Sequence, residues 1–381
     1  MTARPRLVHL TTTDMSLALL LGPQLRAYRD AGYEVFGASA PGPYVGELEG
    51  WGVEHLPLRH ATRAMRPDQD VRALGELTAL FRRLRPTIVH THNPKPGVYG
   101  RLSAWASRVP GIVNTVHGLY ALPDDTRAKR AIVYGLERVA ARCSDIELVQ
   151  NPEDLDVLAG LGIPRSKLRL LGNGVDLTRF EPPTTQQRRS ARAHLGAEDG
   201  EVIVGVVGRL VREKGYREVF EAAARLVRGG VPVRFVVVGP SDPAKQDAIT
   251  EEECERASRD GNVTFLGLRH DVERIYHALD LYVLASYREG FPRSAMEAAA
   301  TGLPLVATDI RGCRQVVEHG KNGLLVPAGD AAALAAAVAE LASDAERRVR
   351  MGEASVAKAL AEFDQQAVID TTLAAYAELC R

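Results

Sequence analysis

Short apolar runs of strand length, separated by helical patterns, constrain this chain more than any other feature. They stand at residues 7–10, 34–39, 53–58, 88–90, 112–116 and 146–149, with helical stretches such as 71–84 between them. Strands that alternate with helices lie parallel in one sheet and are covered on both faces. A polar, proline-containing stretch at 181–189 interrupts the pattern. The alternation then restarts at 202–207, 233–239, 263–266, 281–285, 305–308 and 324–326. The reading is an α/β chain with two Rossmann-like domains: 1–182, a linker region at 183–200, and 201–360. At 381 residues and 45% hydrophobic, the chain is long enough to bury two such cores.

One strand-loop-helix unit carries chemistry. The apolar run 281–285 leads into Arg288-Glu289-Gly290-Phe291-Pro292-Arg293-Ser294, and the following alanine-rich helix ends at Gly302 and Pro304. Such a unit sets backbone N–H groups near Gly290 to Ser294, with Phe291 and Pro292 between them, at the carboxyl edge of a sheet, where a helix N-terminus favours anions. Glu289 in the loop and Glu297 on the helix can both reach that edge, and carboxylates accept hydrogen bonds from hydroxyls. The pattern suits a diphosphate carrying a polyhydroxylated group. Ser294 and Glu297 also have the spacing of a capping box, in which the glutamate serves only a backbone donor.

A second loop has the opposite charge. The run Val202–Val207 enters Gly208-Arg209-Leu210-Val211-Arg212-Glu213-Lys214-Gly215 before a helix that starts near Tyr216. Gly208 is expected to permit a tight turn. Arg209 and Lys214 leave the same strand-to-helix loop, and two cations at the mouth of a parallel sheet can neutralise a departing diphosphate without a metal ion.

Gly208 to Gly215 together with Glu289-Gly290-Phe291-Pro292 and Glu297 resembles the retaining family-4 glycosyltransferases. Asn173-Gly174-Val175-Asp176, Asn322-Gly323-Leu324-Leu325-Val326, His90-Thr91-His92 and Thr115-Val116-His117-Gly118 extend the likeness over most of the chain. Val116 to Leu119, with His92 to Lys95, looks most like the capsular and exopolysaccharide branch. The resemblance implies the GT-B fold, two Rossmann-like domains facing a central crevice, with a C-terminal helix at 361–381 crossing back to the first domain. It implies transfer of a hexosyl or N-acetylhexosaminyl group from a nucleotide diphosphate sugar with retention of configuration. Glu289, Arg209, Lys214 and His117 would be catalytic; Gly208, Leu268, Gly290, Phe291, Pro292, Glu297 and Asn173 would bind the donor. A polyprenyl-diphosphate-linked acceptor at a membrane surface is the implied partner. A nucleotide-sugar epimerase and a non-catalytic nucleotide-sugar binder are the alternatives.

Composition narrows the field. Lys plus Arg and Asp plus Glu both number 48, so no global field attracts nucleic acid. The cysteines Cys143, Cys254, Cys313 and Cys380 form no CxxC pair and are read as reduced thiols of a cytoplasmic protein. No apolar run has the length of a membrane span, so membrane contact is expected to be peripheral. Basic clusters at Arg59, Arg63 and Arg66, at Arg82, Arg83 and Arg85, and at Arg127, Lys129 and Arg130 could meet anionic lipid. Neither first strand is followed by Gly-x-Gly-x-x-Gly, which argues against a dinucleotide-dependent oxidoreductase. No cofactor or metal is called for: Asp154-Leu155-Asp156 sits in the opening turns of a helix, and His90 and His92 have no third ligand in view. After the first strand, Thr11-Thr12-Thr13-Asp14-Met15-Ser16 replaces the glycine-rich segment of many relatives, and Asp14 and Ser16 are read as caps of the next helix.

Overall fold

The computed structural model describes residues 4–61, 67–92, 94–121, 125–198, 200–241, 245 and 247–380. They form two compact units, Met1–Gly172 with Gln366–Arg381, and Asn173–Gln365. The first holds β1 (Arg6–Thr13), β2 (Glu34–Ala40), β3 (Glu54–Pro57), β4 (Ile88–His92), β5 (Gly111–Val116), β6 (Ile146–Val149) and β7 (Leu168–Leu170). The second holds β8 (Val202–Val207), β9 (Val233–Val238), β10 (Val263–Phe265), β11 (Leu281–Leu284), β12 (Leu305–Thr308) and β13 (Gly323–Val326). The sheet orders are β3-β2-β1-β4-β5-β6-β7 and β10-β9-β8-β11-β12-β13, and their ladders are parallel. Strand order reverses between β1 and β4 and between β8 and β11. Ligands of parallel α/β sheets collect at the carboxyl ends beside such a reversal.

Period-2 alternation divides each sheet between two cores. In the second unit Val204, Val206, Phe235, Val237, Leu281 and Val283 face one helical layer. Ile203, Val236, Val238, Tyr282 and Leu284 face the other. Such strands read as continuous apolar runs because neither face is wet. In the first unit the C-terminal helix Gln365–Leu379 covers one face, adding Ile369, Ala375 and Tyr376 to the core around Leu7, Ile88 and Val113. Burying Ile369 alone contributes about 2 kcal/mol.

Three readings change. The stretch 183–200 carries the helix Thr185–His194, opened by a capping box between Thr184 and Gln187. Arg188 and Arg192 clamp Asp280 at 2.6 and 2.9 Å. The stretch is polar because this surface helix buries none of its own residues, and the units meet along the chain at Gly172 and Asn173. Strand β7 was not foreseen, since three residues show no period. Asp14 does not cap a helix: buried, it accepts from the Tyr44 amide at 2.7 Å and from Met15 at 2.8 Å, pinning the loop after β2. The π-helical turn Ser16–Leu20 starts without a side-chain cap.

Candidate active site

Two loops at the carboxyl edge of the second sheet are clamped together. Past β8 the chain makes a 3-10 turn, Arg212–Lys214, closed by Gly215 at φ 72°. A Cβ on Gly215 would lie 2.0 Å from the carbonyl oxygen of Ala285, at the end of β11. Only glycine allows both that backbone angle and that approach. The Tyr287 amide donates to the Glu213 carbonyl at 2.9 Å, Arg288 pairs with the Glu213 carboxylate, and Tyr287 Oη donates to Glu218 at 2.6 Å. Lys214 Nζ thereby reaches Glu289 Oε1 at 2.6 Å, the oxygen to which Ser286 Oγ also donates at 2.6 Å. Arg209 lies partly buried in the same loop.

Gly208 is not the tight position expected of it. It has no positive φ, and a Cβ there would meet nothing closer than Tyr216 Oη at 3.6 Å. The constraint falls on Gly239 after β9, at φ 151°, where a Cβ would lie 1.9 Å from the Gly208 carbonyl oxygen. The neighbouring loop, not the local turn, decides which glycine is required.

Glu297 lies on the helix Arg293–Ala300, whose cap residue Pro292 makes no side-chain cap bond. The capping-box alternative is therefore not realised. Ser294 Oγ is 2.7 Å from Tyr282 Oη. Glu297 is 9% exposed, accepts from Tyr276 Oη at 3.1 Å and pairs with Arg293 Nε at 3.2 Å. Burial raises its pKa, against the opposing pull of Arg293, Tyr276 and Arg179. A buried carboxylate with a raised pKa beside a sheet edge makes Glu297 a candidate for a functional position. Asn173 Nδ2 donates to the Phe291 carbonyl at 3.1 Å while its Oδ1 accepts from Gly174, so it ties the Gly290-Phe291-Pro292 loop to the chain entering the unit. Phe291 packs edge-on against Phe363. Leu268, past β10, is half exposed. Ser286, Tyr276 and Tyr282 were missed in the sequence; Ser286, three residues before Glu289 at a strand end, was the available signal.

In the first unit His117 follows β5 and precedes Gly118 at φ 107°. Its Nε2 lies 3.0 Å from His92 Nδ1, and burial lowers its pKa to about 4. His90 and His92 do have a third companion: His9 stands opposite His90 in the β1–β4 register, and ring nitrogens of the three lie within 4.8 Å of one another. The Asp154 and Asp156 carboxylates take separate partners, the Leu119 amide at 3.0 Å and Arg165 at 3.2 Å.

Residues 187–357 match the family model of glycosyl transferases group 1, and residues 24–179 match that of glycosyltransferase family 4. The UDP-Gal:alpha-D-GlcNAc-diphosphoundecaprenol alpha-1,3-galactosyltransferase of Escherichia coli is 31% identical over 69% of this chain and 68% of that protein. This chain is a family-4 glycosyltransferase. The enzyme is also 25% identical to the capsular polysaccharide biosynthesis glycosyltransferase CapM of Staphylococcus aureus, over 95% of this chain and 94% of that one. Among solved structures, HepE of Anabaena in complex with UDP and glucose superposes with a TM-score of 0.80 at 20% identity, covering 97% of this chain and 98% of that one. The glycosyltransferase has the expected GT-B class of fold, with two parallel-sheet α/β domains. No described helix is long and apolar enough to cross a membrane.

Proposed function

We propose that this glycosyltransferase moves a hexosyl or N-acetylhexosaminyl group from a UDP-sugar to a polyprenyl-diphosphate-linked acceptor, with retention, in cell-surface polysaccharide or glycolipid assembly. The observation that carries the reading is the clamped pair Lys214–Glu289 beside the buried carboxylate Glu297 at one sheet edge. The relatives agree in kind: HepE is described with UDP-glucose, and the Escherichia coli enzyme is named for a diphosphoundecaprenol acceptor.

The anomeric C–O bond to the β-phosphate breaks as the acceptor oxygen bonds to the anomeric carbon on the same face, and the acceptor proton passes to the leaving phosphate. Positive charge grows on the sugar and negative charge on the phosphate. Arg209, Lys214 and the amides of Gly290 and Phe291 meet the phosphate; Lys214 has three donors, so it can hold Glu289 and a phosphate oxygen together. Glu289, oriented by Lys214 and Ser286, takes the sugar hydroxyls and offsets the positive charge. Glu297 holds the ribose, backbone groups near Leu268 meet the base, and His117 contacts the sugar. Asn173, Gly208 and Pro292 shape the loops that approach the donor.

A lipid-borne acceptor needs a membrane-facing surface. The helix Arg127–Ala140 exposes Ile132 (62%), Leu136 (44%) and Val139 (48%) at i, i+4 and i+7, with Arg127 and Lys129 exposed at its start. Apolar residues flanked by basic ones suit an anionic bilayer surface. Arg82, Arg83 and Arg85 are also exposed; Arg63 and Arg66 lie outside the described residues.

A panel of UDP- and GDP-sugars, scored for nucleoside diphosphate release with and without undecaprenyl-diphosphate-linked sugars, tests the reading. Acceptor-dependent UDP release is expected. Donor isomerisation without acceptor would make the protein an epimerase. Flotation with anionic vesicles at low salt should carry the wild type but not a variant with Ile132, Leu136 and Val139 changed to serine. Equal flotation of the two would remove the membrane surface from the proposal.

A further inference from the structure

The histidines of the first unit stand in single file. His117 Nε2 meets His92 Nδ1 at 3.0 Å, His92 Nε2 meets His9 Nδ1 at 2.9 Å, and His9 Nε2 meets Tyr376 Oη at 3.3 Å. The same hydroxyl meets His90 Nδ1, and His90 Nε2 meets Thr115 Oγ1 at 2.7 Å. Strand register builds the file. His9 lies opposite His90, and His92 opposite Thr115; His90 and His92, like Thr115 and His117, are two apart and share one face. Tyr376 comes from the C-terminal helix that covers that face.

Burial alone drives the pKa of His9 down to about 3. Burial is the main cause at His117, His90 and His92 as well, the last two falling well below the ordinary range. The rings are therefore neutral near pH 7, and a neutral imidazole has one donor and one acceptor nitrogen. Each link uses one nitrogen of each ring, so a donor at one link forces an acceptor at the next. The Tyr376 hydroxyl has one proton and hands the order on, accepting from one imidazole and donating to the other. We propose that His117, His92, His9 and His90 share one tautomer, all Nε2–H or all Nδ1–H, and that Tyr376 is a positioning residue that sets, through this file, which nitrogen of His117 carries the proton at the edge of β5. Gln150, whose side chain bonds His117, can answer either state by turning its amide. A ligand hydroxyl that takes the place of Gln150 thus meets His117 as donor or as acceptor according to an order fixed in the core. That consequence rests on the proposed sugar contact of His117; the shared tautomer does not. A metal among His9, His90 and His92 fits less well, since their ring nitrogens are already committed to these links and each acceptor lone pair points at its partner's N–H or O–H, not at a common centre.

Long-range proton–nitrogen correlation spectra of the full chain, labelled with nitrogen-15 histidine at pH 7, read each tautomer directly. The wild type should show one tautomer at all four rings, and mixed tautomers there would overturn the proposal without any variant. In Tyr376→Phe the rings beside the gap turn their lone pairs toward it, so His9, His92 and His117 become Nδ1–H and His90 becomes Nε2–H. A variant that folds and keeps one common tautomer overturns the coupling. If His117→Ala turns over normally, the sugar contact fails while the tautomer result still stands.

Discussion

Replacing Glu297 by glutamine separates a carboxylate kept for a ligand from one kept for the fold. Its oxygens are taken by Tyr276 and Arg293 at 3.1 and 3.2 Å, and burial raises its pKa. The sign follows from that direction. Below its ordinary range the group is neutral in both folded and unfolded chains; as pH rises, the unfolded chain loses the proton first, so the folded state loses stability relative to it. At pH 7 a permanently neutral glutamine removes this penalty. It still accepts from Tyr276, and Arg293, 27% exposed, can turn toward water. Stability should therefore stay within about 1 kcal/mol of the wild type or rise, where the loss of a cap would cost about 0.5–2 kcal/mol.

Donor affinity should move the other way. A hydrogen bond from a ribose hydroxyl to a charged acceptor contributes about 1.5–3 kcal/mol, so Kd for a UDP-sugar should rise roughly 10- to 150-fold. Calorimetric titration with the donor, alongside denaturant unfolding of Glu297→Gln and Glu297→Ala, gives both quantities. A stability loss above about 1 kcal/mol with donor affinity intact would refute the ribose role and return Glu297 to the fold.

The other predictions concern different contacts. Lys214→Ala and Glu289→Gln should each lower kcat by about 2–4 kcal/mol of transition-state free energy, with the double variant well short of the sum because they form one unit; additive losses would show independent roles. Gly215→Ala should cost about 2–5 kcal/mol in denaturant unfolding, against about 1–2 kcal/mol for Gly230→Ala, which shares a positive φ but has nothing within 4 Å of an added Cβ; equal costs would mean that the approach to Ala285 is relieved cheaply. The depressed histidines predict acid sensitivity. Their stability contribution is full above about pH 6.5 and is lost as pH falls, because the unfolded chain binds protons that the folded one excludes; at pH 5 the loss is roughly 2 kcal/mol for each of His9 and His117. Near-ultraviolet circular dichroism should show unfolding beginning between about pH 6 and 4.5, and a signal unchanged to pH 4 would contradict it.

Much of this was legible because it is local. The alternation of strand and helix is a property of neighbouring residues. The loops holding Arg209, Lys214 and Glu289 announced themselves by their place between an apolar strand and a helix. What each residue touches inside those loops did not follow. Lys214 was expected on a phosphate and Glu289 on a sugar; in the structure they hold each other across 75 positions. No spacing rule reaches across that interval, since it is set by β8 and β11 becoming neighbours.

Glycine shows the same limit more sharply. Gly208 looked like the residue demanded by a turn because it directly follows a strand. The demand lies at Gly215 and Gly239, where another strand end passes within about 2 Å of an absent Cβ. Steric need is a property of what arrives from elsewhere, and it becomes visible only when the sheet order is known. His9 is the parallel case for chemistry. Alone on β1 it carried no signal, and His90 with His92 looked like a pair without a third member. Once β1 pairs with β4 in the observed register, the period of two that puts His90 and His92 on one face brings His9 to them, and the C-terminal helix supplies the hydroxyl that completes the group. Pattern within an element specified the parts; pairing between distant elements decided their partners, and the proposed chemistry rests on those partners.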